Sequence, residues 1–358
     1  MKNISLFIKT LTWLLSFAFV TQASAVIINV LEWEGYISPF EAEFVKYAKS
    51  KGIDVKLNII KPYITGPEDT FKAMRAKKAD VTTPTNNYFK MNQGKLMQVL
   101  QPIDFSKLTN YKKVLGSLRS ASYDQGKNGK YSVPLLGGSY GLAYNAANVG
   151  APDSWNAFWD PKFKGKYAIT DSQFEANVYI TMLALGYPPE TIYDISKGNF
   201  DAAKVQSKLN QLVANAGSFW GGLADANAMK NLDLVTTYWF GVAEANKAGQ
   251  NWKFANPKEG QTVWLDTMSI GKHVTGEKLT ASYLLLDFMI GEEIQKKIIE
   301  MYGSIIVNGE TSKLLDAETI KAGRVGDESF FVDAYFWKPL SSRTRNMYKQ
   351  MWKKAQKQ

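Results

Sequence analysis

The chain has 358 residues, 45% of them hydrophobic, and carries 43 Lys and Arg against 33 Asp and Glu, a formal net charge of +10 at pH 7. It has no cysteine and one histidine, which excludes disulfides, thiol nucleophiles, Cys–zinc sites, iron–sulfur ligation and His clusters. Only Arg75, Arg119, Arg324, Arg343 and Arg345 are arginines; guanidinium is the group suited to bidentate base and phosphate recognition, so this lysine-rich balance reads as a soluble surface with no nucleic-acid partner.

In chain order, Lys2 and Lys9 flank the start of an apolar run over 11–20, and Ala23-Ser24-Ala25 offers small residues for cleavage. Residues 1–25 read as a secretory signal peptide, its apolar core too short to span a bilayer, and place the mature protein outside the cytoplasm. Residues 26–31 are a nearly continuous apolar run, as in a buried parallel strand. Ser38-Pro39-Phe40-Glu41 fits a capping box with Pro at the first helical position, and Gly52 a helix end. Ile53, Val55, Leu57 and Ile59 alternate as a second strand, 67–77 reads as a helix, and 80–83 as a third strand.

The theme repeats: a short aromatic helix over 155–159, a strand over 167–170, helices over 174–186 and 202–214, and a strand over 234–237 running into Tyr238-Trp239. Helices over 279–289 and 292–301 follow, and the basic run 349–357 reads as a solvated helix face or tail. Alternating strands and helices predict an α/β fold with a mostly parallel sheet, and the length favours two lobes. No low-complexity linker separates them, which predicts crossover strands, with 141–145 and 264–270 as the candidates.

The stretch 256–266, Asn-Pro-Lys-Glu-Gly-Gln-Thr-Val-Trp-Leu-Asp, carries the chemistry. A charged turn runs into a strand, and strand positions i and i+2 share a face. Trp264 and Asp266 therefore look the same way, an indole beside a carboxylate. That pair suits a cationic amine through cation–π attraction and a charge-assisted hydrogen bond. A half-buried strand end whose Asp caps a turn is the plainer alternative.

Several short motifs, in this order and spacing, resemble the periplasmic polyamine-binding proteins, the spermidine/putrescine receptors of ABC importers. They are Trp33-Glu34-Gly35-Tyr36, 80–85 with Pro84, Tyr131-Ser132-Val133-Pro134, Ser154-Trp155 with Trp159, Thr170-Asp171, Trp239 with Gly241, and 257–266. The resemblance covers essentially the whole mature chain. It implies a two-lobed periplasmic-binding-protein fold of type II, each lobe a mixed, mostly parallel sheet flanked by helices, with the ligand enclosed between lobes by hinge closure. The expected division is 26–143 plus 267–310 for lobe 1 and 144–266 plus 311–358 for lobe 2. A small organic amine and a membrane ABC permease are the implied partners; the protein is expected to be a monomer and to need no cofactor or metal.

By position in that resemblance, Trp33, Glu34, Tyr36, Thr85 and Asn87 line the first-lobe wall. Glu175, Trp239, Trp264 and Asp266 supply the other side. Aromatic walls bury methylenes, and carboxylates pair desolvated ammonium groups. For Trp33 and Tyr36 the alternative is core packing, and for Glu175 it is complementing a helix dipole. The departures concern substrate. Ser172 stands where these receptors usually carry Asp, Asn87 and Ser304 where they often carry Tyr, and Lys338 where Gln is common. Lys338 pairs locally or points to solvent, or the ligand is a shorter diamine such as putrescine, or it is a zwitterionic or anionic amine-containing solute with Lys338 as counter-ion.

An enzyme is the rival class. One histidine, His273, excludes most Ser–His and metal-hydrolase arrangements, and it reads as a satisfied or exposed surface residue. Glu175 with Asp266 leaves a glycosidase open, and a Trp-lined cleft leaves a sugar-binding protein open. A ferric-ion receptor would want an adjacent Tyr-Tyr pair, which is absent. The expectation is a binding protein, not an enzyme.

Overall fold

The structure, a computed structural model, describes residues 24–221, 224–331 and 336–357. The apolar run of the predicted signal peptide lies outside the described residues. In chain order the strands are β1 (Val26–Leu31), β2 (Val55–Ile59), β3 (Val81–Thr82), β4 (Gln125–Gly126), β5 (Gly129–Lys130), β6 (Val133–Ser139), β7 (Gly141–Asn145), β8 (Tyr167–Thr170), β9 (Ser218–Trp220), β10 (Leu234–Thr237), β11 (Trp252–Phe254), β12 (Val263–Ile270) and β13 (Ile305–Ile306). One sheet runs β13-β6-β12-β3-β1-β2 and another β11-β7-β10-β8-β9, while β4 and β5 form a small hairpin.

The apolar run of β1 makes it central: it pairs in parallel with β2 on one side and β3 on the other. The helices Glu41–Ser50 and Pro67–Arg75 supply the crossovers that parallel strands require. In the second sheet β8 pairs in parallel with β9 and β10. The other pairings are antiparallel: β12 with β3 and β6, β13 with β6, and β7 with β10 and β11. The sheets are therefore more mixed than the strand–helix alternation predicts, because that pattern marks only the βαβ part of each.

The chain leaves the first sheet at Tyr140, the residue between β6 and β7, and returns between β11 and β12. Leu142 and Ala143 pair inside the five-stranded sheet, and Trp264 to Asp266 inside the six-stranded one. The predicted crossover strands thus belong each to a single sheet, and the crossings lie beside them. Strand residues need partners for their backbone N–H and C=O groups, so passage between sheets falls to the irregular residues.

Each sheet has its own helical cover. Gly276–Met289 packs on β1 and on Glu41–Ser50, where Phe44 and Phe288 bring their ring centroids within 5.5 Å. Phe174–Ala184, Ala202–Ala214 and Ser342–Ala355 pack together over the second sheet. The C-terminal basic run is indeed a helix face: Tyr348, Met351, Trp352 and Ala355 are buried while Lys349, Lys353 and Lys354 stay exposed. A buried side chain of this size contributes roughly 1.5–3 kcal/mol, and these layers stabilise a chain that has no disulfide.

One local reading changes. The predicted capping box at Ser38 does not form; a 3-10 turn, Ser38–Phe40, leads into the helix without a side-chain cap. The carboxylate of Glu32 accepts hydrogen bonds from the backbone N–H of Ile37 and Ser38 instead. His273 lies 3.3 Å from Asp80 Oδ1, with Lys278 Nζ 3.0 Å from Oδ2, so the histidine is satisfied by a buried carboxylate.

Candidate functional site

A cavity of about 820 Å³ opens where the ends of β1, β3, β8 and β10 face β12. The C-terminal ends of parallel strands are where open α/β sheets bind ligands, and this volume is in the range for small molecules. Beyond β1, Trp33-Glu34-Gly35-Tyr36 makes a turn in which Tyr36 N–H donates to the Trp33 carbonyl, and Gly35 takes φ +82°, a conformation that favours glycine. The turn aims Trp33, Glu34 and Tyr36 into the cavity. Beyond β3, Thr85, Asn87 and Tyr88 do the same.

At the centre is Asp266, 4% exposed. Thr85 Oγ1 donates to its Oδ1 at 2.5 Å and Tyr36 OH to its Oδ2 at 2.8 Å. Both donors are neutral. Burial pushes the Asp266 carboxyl up to about 7, against the opposing effect of the two hydroxyls, because desolvation penalises the charged form. Burial, with the Asp266 charge second, pushes the Tyr36 hydroxyl well above its usual range, so it stays a donor.

The strand is shaped to present this carboxylate. The β12–β6 register pairs Trp264 with Gly138, Leu265 with Gly137 and Asp266 with Leu136, then shifts between Asp266 and Thr267, which pairs with Pro134. Pro134 has no N–H for the ladder, and such bulges re-aim side chains beside binding sites. Asn86 locks the strand from the other side: its Oδ1 accepts from Leu265 N–H and its Nδ2 donates to the Trp337 carbonyl.

The aromatic walls pack around Trp264, Tyr238 edge to face and Phe240 tilted. Tyr238 lies 6.0 Å from it at 79°, and Phe240 6.0 Å at 42°. The buried indole N–H groups of Trp33, Trp264 and Trp337, and Asn87 Oδ1, have no hydrogen-bond partner among the described residues. On the far wall, Ser172 and Glu175 sit before and within the first turn of Phe174–Ala184. Ser172 is held by Thr170: their hydroxyl oxygens are 3.2 Å apart, and the Ser172 N–H donates to Thr170 Oγ1 at 3.3 Å. Glu175 accepts from Arg345 Nε at 3.0 Å.

Of the residues expected from sequence, Trp33, Glu34, Tyr36, Thr85, Asn87, Ser172, Glu175, Trp264 and Asp266 are brought together. Trp239, Ser304 and Lys338 do not line the cavity. Trp239 turns away to pack on Phe254 at 4.4 Å, and the lining position falls to its neighbour Tyr238. Ser304 is fully buried, and Lys338 is exposed to solvent. Gln173, Phe174, Tyr179, Trp337 and Arg345 were not expected and line it. Arg345 carried a signal, being a rare arginine in a lysine-rich chain. The aromatics carried none that separates pocket from core.

Charge is concentrated here against the trend of the chain. The lining includes Glu34, Glu68, Asp69, Glu175 and Asp266 as carboxylates and Arg345 as a cation. Asp69 is held below its usual range by hydrogen bonds from Thr65. An acidic, aromatic cleft in a basic protein is chemically suited to a cationic organic molecule.

Two α/β lobes around such a cleft define the two-lobed solute-binding class. Residues 76–320 match the family model described as bacterial extracellular solute-binding protein, and the chain belongs to that family. It is 26% identical to the spermidine/putrescine-binding periplasmic protein of Escherichia coli K12, over 87% of this chain and 90% of that one. It is 24% identical to the putrescine-binding periplasmic protein SpuD of Pseudomonas aeruginosa, over 99% and 98%. Among solved structures, a spermidine/putrescine ABC transporter substrate-binding protein of Streptococcus pneumoniae superposes with a TM-score of 0.76 at 20% identity, covering 93% of this chain and 99% of that one. Among the described residues no helix is long and apolar enough to cross a membrane.

Proposed function

We propose that this protein is exported by cleavage after residue 25 and works as a monomeric periplasmic receptor. In this reading it captures an organic amine of the putrescine/spermidine class and delivers it to a membrane ABC permease without catalysing a reaction. The observation that carries the reading is Asp266, a buried carboxylate whose hydrogen-bond donors, Thr85 and Tyr36, are both uncharged. An isolated buried carboxylate is costly, and a ligand ammonium against it, between the faces of Trp33 and Trp264, removes that cost through a charge-assisted bond and cation–π attraction. The methylenes of the ligand lie along the remaining aromatics, and the acidic rim of Glu34, Glu68 and Asp69 draws cations in.

A second reading keeps the ammonium at Asp266 and gives the ligand an anionic far end. It is favoured by one observation, the guanidinium of Arg345 in the lining, whereas Lys338 is exposed and outside it. Calorimetric titration with putrescine, spermidine, amino acids and aminophosphonates tests both readings. Tight binding of a diamine or spermidine supports the first, preference for a zwitterion supports the second, and heat from none of them removes both.

A further inference from the structure

Glu175 and Arg345 stand apart from the rest of the cavity because each satisfies the other. Glu175 lies in the first turn of Phe174–Ala184 and Arg345 in that of Ser342–Ala355. Arg345 Nε donates to Glu175 Oε1 at 3.0 Å, with side-chain exposures of 50% and 24%. The guanidinium carbon is also 5.8 Å from the Phe174 ring centroid. Both residues, and Phe174, line the cavity.

We infer that Arg345 is a specificity-determining residue, a tethered cation that competes with the far ammonium of a diamine or polyamine for Glu175. Three observations carry this. A guanidinium over an aromatic face and against a carboxylate makes the contacts that a ligand ammonium would make there. The recorded Glu175 contact is a single Nε hydrogen bond rather than a bidentate fork, and a half-exposed pair of this kind is weak in water. Arg345 is also the cation of the lining, so a second positive group reaching Glu175 must displace it or endure its repulsion. Amines with a single ammonium, seated at Asp266, meet no such competitor. The selectivity of the site for charge number is therefore set at this pair. The inference rests on the proposed seating of an ammonium at Asp266.

The test is calorimetric titration of wild type, Arg345→Gln, Glu175→Gln and the double variant with α,ω-diamines from propane- to heptane-diamine, each referenced to the monoamine of the same length, and with 4-aminobutyrate. Removing the competitor is expected to raise the diamine-to-monoamine affinity ratio about tenfold at the best-fitting length. The double variant is expected to show no such rise over Glu175→Gln alone. The inference is overturned if Arg345→Gln leaves the ratio unchanged or lowers it. It is also overturned if 4-aminobutyrate binds wild type more tightly than any diamine and loses most of its affinity in Arg345→Gln, which would make Arg345 a carboxylate receptor. Amine binding in wild type with an unchanged ratio removes this inference alone, whereas no amine binding by either wild type or Arg345→Gln removes the proposed function with it.

Discussion

In the proposed reading, Asp266 sets the pH behaviour of amine binding. Its carboxyl is raised to about 7 by burial, while an alkylammonium stays charged well above that. Binding therefore requires the proton to leave Asp266, and affinity should rise with pH up to about 7 and level off beyond. Below that point the loss should approach about tenfold per pH unit. Titration from acid to mildly alkaline pH checks this, and a flat profile would place the ammonium elsewhere.

The same group has a stability consequence of opposite sense. A carboxyl raised on folding binds more protons in the native than in the unfolded state between about 4 and 7, so stability is lost as pH rises through that window. Asp266→Asn should then be more stable than wild type at pH 8, by roughly 2–4 kcal/mol, with the difference shrinking toward pH 4. Denaturant unfolding at the two pH values measures it.

This residue was legible in the sequence because strand alternation puts Trp264 and Asp266 on one face. Arg345 was marked only by its rarity; its place was not legible, because it depends on how Ser342–Ala355 docks on Phe174–Ala184, which no local pattern encodes. Trp239 was expected in the cavity and its neighbour Tyr238 lines it instead; sequence places an aromatic pair at the end of β10 but not the side to which each ring turns.

The pairing of β12 with β6 is the element that aims the carboxylate. Gly138 lies opposite Trp264, and a Cβ there would sit 2.8 Å from Trp239 Cδ1 and 3.0 Å from Trp264 Cζ2. The glycine lets two indoles close over the strand, one on Phe254 and one into the cavity. Gly138→Ala should push Trp264 off its seat and destabilise the fold by about 1–3 kcal/mol, as overpacking does. Weaker amine binding and altered tryptophan fluorescence should accompany it, read by chemical unfolding and titration. Unchanged stability and affinity would mean that the strand moves freely at this point.

Most elements were legible from apolar patterning: Ala202–Ala214 and β8 lie where periodicity puts them. The bulge after Asp266 was not, although Pro134, which cannot donate to the ladder, lies at its origin. Nor was the entry to Glu41–Ser50, where Glu32 holds the backbone N–H groups of Ile37 and Ser38 at the start of the preceding 3-10 turn and no side chain caps the helix itself.

At the scale of the molecule, two sheets with separate helical cores meet along a cleft, and the chain passes between them at short irregular joints such as Tyr140. The two-lobed arrangement was legible from length, from the strand–helix alternation and from the resemblance. The antiparallel half of each sheet was hidden because β6 and β12 are buried along their whole length, like the parallel strand β8. Residues contributed by both lobes line the cavity, so ligand should favour a closed arrangement. Small-angle scattering with saturating spermidine should show a smaller radius of gyration, as hinge closure produces. Asp266→Asn should show no such change.

Calorimetric titration of wild type and Asp266→Asn with putrescine and spermidine at pH 8 tests the pairing of a ligand ammonium with Asp266 most directly. Wild type is expected to bind one amine per chain, with a loss of about 100-fold or more in the variant, whose fold is intact, since truncating one side of a buried charge pair costs several kcal/mol. Equal affinity in the two proteins, or no heat with either amine in wild type, would contradict that pairing.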